Sequence, residues 1–533
     1  MLEGLKALFV IAVVSTAAFA YARMAFSDIV PPATLGRWRN LYLAVTALTF
    51  LVPNYWLMLA ALTAAMLALG ASEKFRPALY LLLLFAVPAA SRIVPGFAGI
   101  NNFLEIYPFN VLAIVILFPL LFKPGETRGG AGGSLADTAF IGYMLVIFAL
   151  AFRDTSFTDG VRRATAFLLT AVPQYFVFSR IRWTLPGLRL ATAALVIPLV
   201  ALSGVALVEA ALGWHVYNGA VHNWGGDATL RYVQRSGFLR AYGTVFGPIA
   251  FGLFLAVGLA LAPALAAGAR KKRLAYLSLP AIAVGLLATF SRGPWIGGGL
   301  ALATYVATTR RAIANMARAA IIGAGGVLLL GLTPFGGNLL NLLPFIGETE
   351  EGTIDYRQRL FEVGWRVVMK NPMFGSETYM KSEEMQSLVQ GQGIIDIVNS
   401  YLRIALDSGL IGLSLYLGVV IFSLVAVWRS IGQARRIEEE LAAYSQAYFA
   451  ALLSLSIVLA TTGNTIAQTQ EVTWVLCGIC VGIARSVSLE RRAKETSKQA
   501  PAGAQEPEPE GAPAAKAPPS RPLPPHLRQY ERR

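Results

Sequence analysis

The sequence predicts an all-α, polytopic membrane protein, and three observations carry that prediction. The 533 residues are 56% hydrophobic and 14% charged, against roughly 25% charged in an ordinary soluble domain. Mean hydropathy is +0.57. Apolar runs long enough to cross a bilayer, at about 20 residues per helix, follow one another almost from end to end. A water-soluble enzyme is thereby excluded. So is a β-barrel, whose strands would be segments of about 10 residues with period-two alternation.

In chain order, apolar runs lie at 5–22, 40–70, 77–92, 107–122, 137–152, 163–180, 188–212, 242–266, 274–290, 294–309, 317–335, 409–429, 444–462 and 470–486, about fourteen transmembrane helices by periodicity and length. The first run has no small-residue cleavage site followed by a soluble domain, so it reads as a retained span and not a signal peptide. The run 40–70 is long for one helix and carries Pro53-Asn54 at its centre. It reads either as one span or as a tight hairpin, and the hairpin would make fifteen spans and move the N-terminus outside.

Lys and Arg number 45 against 30 Asp and Glu, a net +15. In a soluble chain that excess points to nucleic acid. Here the cations gather in short loops after every second run: Lys74 and Arg76; Lys123 and Arg128; Arg180, Arg182 and Arg189; Arg270 to Arg273; Arg310, Arg311 and Arg318; Arg429, Arg435 and Arg436. This is the positive-inside pattern, which puts those loops and the C-terminus in the cytoplasm. Two polar segments, 214–240 and 335–401, then lie on the extracytoplasmic face. Arg162 and Arg163 fall on that outer side too, against the rule.

The larger outer loop contains helical signal. Ile354 to Lys370 carries Leu360, Phe361, Gly364, Trp365, Val367 and Val368 at three and four spacing, with Thr353 as a candidate N-cap and a stop at Asn371-Pro372. It reads as an amphipathic helix near the membrane surface. The membrane domain covers 1–486. The tail 487–533 alternates Pro, Ala, Glu and Lys, as in Glu506-Pro507-Glu508-Pro509-Glu510, cannot bury a core, and is expected to be disordered, as a tether or a docking segment for a cytoplasmic partner. There is no fixed-period repeat and no inverted symmetry, which disfavours a secondary transporter.

Soluble-enzyme motifs are absent: no G-x-x-x-x-G-K-[ST], no H-E-x-x-H, and three histidines in all. Cys477 and Cys480 form a C-x-x-C inside the apolar run Trp474 to Ile483 with no neighbouring cation to lower a thiol pKa, so they read as packing residues. Gly297, Gly298 and Gly299 read as close helix packing. The acidic run Glu348, Glu350 and Glu351 reads as a solvated loop face.

What remains is a set of arginines. Arg292 sits in the turn Ser291-Arg292-Gly293 between two apolar runs, where a charge needs a wet cavity, an anion or headgroups within reach. Arg240 in Arg240-Ala241-Tyr242-Gly243 enters another span from the same side, and Arg357 opens the amphipathic helix. Three guanidiniums converging from separate segments would hold a diphosphate, since each offers permanent charge and bidentate contacts to phosphate oxygens.

Motif order extends this. Arg240 to Thr244 with Pro248 opens a span, Ser291-Arg292-Gly293 lies between spans, and Arg357 is followed fifteen positions later by Pro372-Met373-Phe374-Gly375. Asn399-Ser400-Tyr401-Leu402 and Asp407-Ser408-Gly409-Leu410-Ile411-Gly412 come next. Over roughly 190–430 this pattern resembles the bacterial O-antigen ligase and polymerase superfamily. The resemblance implies an integral, metal-independent glycosyltransferase with a large periplasmic loop, using oligosaccharides carried on undecaprenyl diphosphate. Arg240, Arg292 and Arg357 would then neutralise the departing diphosphate. Such electrostatic stabilisation is usually the largest catalytic contribution.

One departure matters. The family often has a histidine directly before this Asn, placed to activate the acceptor hydroxyl; here the residue is Val398. Asp396 is the first substitute as general base, with a helix N-cap as its alternative role. His215 and His222, in the smaller outer loop with Trp214, Tyr217 and Trp224, are second candidates or part of a sugar-stacking or solvated surface. Asn399, Tyr401 and the two histidines are the expected substrate contacts.

The resemblance implies an inner-membrane polymerase joining lipid-linked repeat units of an exopolysaccharide or O-antigen. The alternatives are a ligase passing finished glycan to a lipid or protein, a flippase for lipid-linked sugars, and a non-catalytic member of a polysaccharide export complex. Expected partners are the undecaprenyl-diphosphate-linked oligosaccharide, membrane lipids and other export proteins, with no nucleic acid.

Overall fold

Helices form along the apolar runs and break where proline, glycine or a capping side chain interrupts them. The computed structural model describes residues 2–70, 73, 75–96, 102–122, 133–225, 232–235, 237–332, 351–390, 393–463 and 467–499. The cations Lys74, Lys123 and Arg128, the carboxylates Glu348 and Glu350, the segment 335–350 and the tail 500–533 lie outside the described residues, as does the side chain of Glu351.

The chain runs through α1 (Leu2–Phe26), α2 (Pro32–Leu51), α3 (Tyr55–Gly70), α4 (Arg76–Leu83), the antiparallel pair β1 (Arg92–Pro95) and β2 (Asn102–Ile106), and α5 (Pro108–Leu121). It continues through α6 (Leu135–Leu150), α7 (Phe157–Arg180), α8 (Leu185–Leu212), α9 (Asn218–Asn223), the short pair β3 (Gln234–Arg235) and β4 (Phe238–Leu239), α10 (Pro248–Gly268), α11 (Ser278–Leu287), α12 (Arg292–Ala307) and α13 (Ala312–Gly331). The last helices are α14 (Glu351–Lys370), α15 (Ser400–Ile437), α16 (Glu439–Leu459) and α17 (Ala467–Gln499).

Among the described residues, 7 helices are long and apolar enough to cross a membrane: α1, α8, α10, α13, α15, α16 and α17. The other apolar runs fold as shorter, broken or more polar helices, so the fourteen-span reading is not carried by helix length alone. The run 40–70 is two helices. Pro53 ends the first, and Asn54 starts the second by accepting hydrogen bonds from Trp56 N (3.0 Å) and Leu57 N (3.1 Å). The run 77–92 keeps only the eight-residue α4. In α5 a π-helical turn at Ala113–Leu117 precedes Pro119, where a proline nitrogen cannot donate.

α10 forms the centre, with 94% of its apolar stretch buried and α8, α11, α12 and α16 packed around it. α13 is the opposite case: its stretch is 0% buried, as suits a helix whose solvent is lipid. Gly297 and Gly298 are packing glycines, since a Cβ on either would come within 2.5 Å of Val458 or 2.6 Å of Leu286. Gly299 faces open space. Cys477 and Cys480 are buried and free, with Cys480 Sγ directed at Tyr448 O (3.7 Å).

α14 begins at Glu351, so Thr353 lies within the helix and is not its N-cap. Leu360, Val363, Val367 and Val368 bury one face in a second core completed by Tyr379, Met385, Leu388, Ile397, Leu402, Ala405 and Leu406. Phe361, Trp365 and Met369 remain exposed on the other face. α15 starts nine residues before its apolar run and kinks at Gly409 (φ 69°). At that kink two of the sequence motifs meet. Gly375 (φ 66°) abuts it so closely that a Cβ on Gly375 would lie 2.3 Å from Leu406 O, and one on Gly409 would lie 2.3 Å from Met373 O. Ser376 N donates to Leu406 O (2.9 Å) and Leu410 N to Pro372 O (2.7 Å). Both positions need glycine for φ and for space.

Arg162 and Arg163, which run against the charge rule, are both in ion pairs. Arg162 pairs with Asp159 (2.6 Å) and Arg163 with Glu377 (2.6 Å) on the large loop. Residues 487–499 are helix within α17, which corrects the start of the segment assigned to the disordered tail.

Candidate active site

The site is assembled from a carboxylate outward. Glu209, in the last turn of α8, is 0% exposed. Its Oε1 accepts from Val216 N (3.1 Å), and its Oε2 from Tyr242 N (2.9 Å) and Gly243 N (3.1 Å). Three backbone donors make a buried acid tolerable here and fasten the Arg240–Gly243 loop to the end of α8. His215 reinforces the joint, stacked on Tyr242 at 3.6 Å with Nδ1 3.5 Å from Glu209 Oε2. The Tyr242 hydroxyl donates to Asn218.

That loop delivers Arg240 to the turn before α12. Backbone bonds from Arg240 N to Val233 O (3.0 Å) and from Ala241 N to Ala288 O (3.0 Å) set its course. The guanidinium then donates from Nε to Thr289 O (3.4 Å) and from Nη2 to Ser291 Oγ (2.8 Å). Arg235 reaches the same turn, donating to Phe290 O (3.5 Å). Phe290 has φ 45°, a strained value for a bulky side chain, and stacks on Phe238 at 5.3 Å. Burial, and secondarily the charge of Arg235, lower the Arg240 pKa to about 10, and its hydrogen bonds among the described residues go to neutral oxygens. Arg292 is the first residue of α12, where the helix presents free N–H groups and the positive end of its dipole.

A second group of residues meets this turn. A Cβ on Gly293 would stand 3.1 Å from Thr461 Oγ1. Thr461 lines a cavity of about 120 Å³ together with Arg357, Leu360, Phe361, Val398, Asn399, Leu402 and Ala460. The segments bearing Arg240, Arg292 and Arg357 therefore adjoin one another, and Val398 lines the same cavity as Arg357.

The other predicted residues divide. Asn399 is the N-cap of α15, with Oδ1 accepting from Tyr401 N (3.0 Å) and Leu402 N (3.1 Å), so the capping role considered for Asp396 belongs to Asn399. Asp396 is held by Tyr356, whose hydroxyl donates to Asp396 O (3.0 Å) and accepts from Asp396 N (3.1 Å). Desolvation raises the Asp396 pKa above the usual range, opposed by Arg357 and Arg403. The Tyr401 hydroxyl donates to Ser456 O (2.6 Å) on α16, which makes it an internal brace. His215 is fully buried, which corrects its reading as part of a solvated or sugar-stacking loop surface: the Glu209 anchor draws it inside. His222 is exposed on α9.

Sequence reasoning missed Glu209 and Arg235. Glu209 carried a signal, a lone carboxylate in an apolar run, which is costly unless satisfied. Arg235 carried only its proximity to Arg240.

Residues 275–417 match a family model described as O-Antigen ligase. The match takes in Arg292, Arg357, Asp396, Asn399 and Tyr401, and leaves out Arg240 and both outer-loop histidines. No curated protein matches the chain. With its multi-pass helical bundle and this match, the chain carries a domain of the O-antigen ligase and polymerase superfamily of membrane proteins, whose members transfer glycans.

Proposed function

We propose that the protein is a bacterial inner-membrane polymerase that joins undecaprenyl-diphosphate-linked repeat units of an exopolysaccharide or O-antigen at the periplasmic face. One observation carries the reading: Arg240 is bonded to Ser291, next to Arg292, and Gly293 lies close to Thr461, which shares a cavity with Arg357. This supports a diphosphate-binding centre at the mouth of the bundle. In the reaction an acceptor hydroxyl attacks the anomeric carbon of the donor, the bond from that carbon to the diphosphate oxygen breaks, and the configuration inverts. The departing electron pair rests on the diphosphate, whose charge Arg240, Arg292 and Arg357 neutralise. Asp396, with a raised pKa and two arginines nearby, accepts the hydroxyl proton, directly or through water. Asn399 acts by positioning α15, and Tyr401 by bracing it.

The polymerase is preferred to a ligase because the element Asp396 to Leu402, with Val398 in place of histidine, looks more like exopolysaccharide polymerases. The proposed topology has about fourteen membrane crossings, some made by helices too short to span alone, with the basic loops and the C-terminus cytoplasmic. The deciding experiment follows the length of undecaprenyl-linked glycans in cells lacking the protein, on each side of the membrane. Single repeats held on the periplasmic side support a polymerase. Long lipid-linked chains there identify a ligase, and single repeats held in the cytoplasm identify a flippase and refute the catalytic roles.

A further inference from the structure

On the other side of the first turns of α15 lies a cavity of about 170 Å³ between α6, α7, α15 and α17. No step above uses it. Its wall is aromatic: Tyr143, Phe167, Tyr416 and Trp474, with centroids of Tyr143, Tyr416 and Trp474 within 5.5–5.8 Å of one another. Its polar groups are of both kinds, with Arg403 and Asp407 as a loose pair at 3.7 Å, and Gln470 and Thr473. The Tyr416 hydroxyl is buried without a well-formed hydrogen bond among the described residues: its polar neighbour Thr473 gives its own proton to Thr469 O (2.8 Å). A buried hydroxyl left so is costly and is the kind of group a ligand satisfies.

A diphosphate would want cations without the carboxylate, and a prenyl chain would want neither ion. A saccharide wants aromatic faces for its C–H surface and mixed donors and acceptors for its hydroxyls. At roughly 10–15 Å³ per water-sized group, the space is on the scale of a monosaccharide. Ser400, Arg403 and Ile404 line it while Asn399 and Leu402 line the arginine cavity, so the two spaces flank one helical turn.

We propose that this cavity is a saccharide subsite, holding one sugar of the lipid-linked glycan beside the reacting centre. The assignment rests on the glycosyltransferase reading. Its test uses the full chain in nanodiscs, with the delipidated repeat-unit oligosaccharide as probe in saturation-transfer NMR and lipid-linked repeat units as substrate in a transfer assay. Tyr416→Phe and Gln470→Met each remove polar contact with little loss of volume. The expected result is magnetisation transfer from the wild-type protein to the oligosaccharide, weakened in both variants, with KM raised about tenfold per lost hydrogen bond and kcat little changed. Unchanged transfer and KM in both variants overturn the subsite and leave the function standing. Variants that weaken binding of undecaprenyl phosphate but keep the oligosaccharide signal assign the cavity to the lipid and also overturn it. A wild-type protein that neither contacts the oligosaccharide nor extends the glycan refutes both readings.

Discussion

The two ends of α8 treat charge differently. At one end Arg189 donates from Nε and Nη2 to Glu440 at 2.7 and 2.6 Å, and beside that end, where Trp183 N donates to Ser486 Oγ (2.7 Å), Arg485 is paired with Asp137, which also accepts from Tyr175 (2.9 Å). At the other end, ~30 Å along the helix at about 1.5 Å per residue, Glu209 is satisfied by backbone donors while Arg240 bonds to neutral oxygens, Thr289 O and Ser291 Oγ. The first arrangement holds helices together. The second keeps a guanidinium half-desolvated with no counter-charge among the described residues, an arrangement that binds an anion more strongly than an exposed arginine would.

The largest expected effect breaks that contrast directly. Arg292→Ala and Arg240→Ala each lower glycosyl transfer about 10²- to 10³-fold, the cost of deleting a preorganised group that meets developing charge, with little change in thermal stability. Arg485→Met gives the reverse, destabilisation of about 3–5 kcal/mol from an unpaired buried Asp137 and a normal turnover per folded molecule. Transfer rates and unfolding curves on the same preparations separate the two. Loss of stability in Arg240→Ala to match Arg485→Met would make the two ends alike and remove the anion site.

Next in size is the base. As the proposed base Asp396 would act as carboxylate, and its pKa is raised. The rate is therefore retained at higher pH and falls as the pH drops through a value above the ordinary aspartate range of about 3.9. Asp396→Asn lowers the rate about 10²-fold and removes that acid limb. A pH–rate profile with the limb intact in the variant assigns the proton to another group.

Much of this was legible in the sequence and part was not, for physical reasons. Local rules suffice for the helices, where hydropathy and run length decide, and for the stop at Asn371-Pro372. They also mark Gly375 and Gly409 as motif glycines, but only the fold shows that each fills the space a side chain on the other would need. His215 looked like a loop residue because its burial depends on Glu209, six residues earlier and itself concealed in an apolar run. The convergence of Arg240 with Arg292 depends on backbone bonds between segments some fifty residues apart, which periodicity does not report.

Glu209 gives a smaller, sharper effect. Glu209→Gln keeps shape but turns one acceptor into a donor, although both oxygens accept from backbone N–H groups. One amide must then face another donor, and the Arg240 loop loosens. The expected outcome is a rate reduced about tenfold, as for a bond worth roughly 1.5 kcal/mol, with KM for the donor raised alongside. An unchanged KM would mean that the loop is held adequately without Glu209.

The smallest effect tests whether the remaining arginines at this end are merely structural. Arg163 is paired with Glu377 at 2.6 Å, with side-chain exposures of 42% and 33%. An exposed pair of this kind is worth about 0.2–1 kcal/mol and is screened by salt. Arg163→Met therefore lowers the unfolding midpoint slightly, less so at high ionic strength, and leaves the rate within about twofold. Its value lies in the contrast with Arg292→Ala, since both remove one cation from the same end of the molecule. If the two variants lost activity equally, the controlling quantity would be total positive charge at the surface. If only Arg292→Ala fails, the effect belongs to the turn that Arg240 holds.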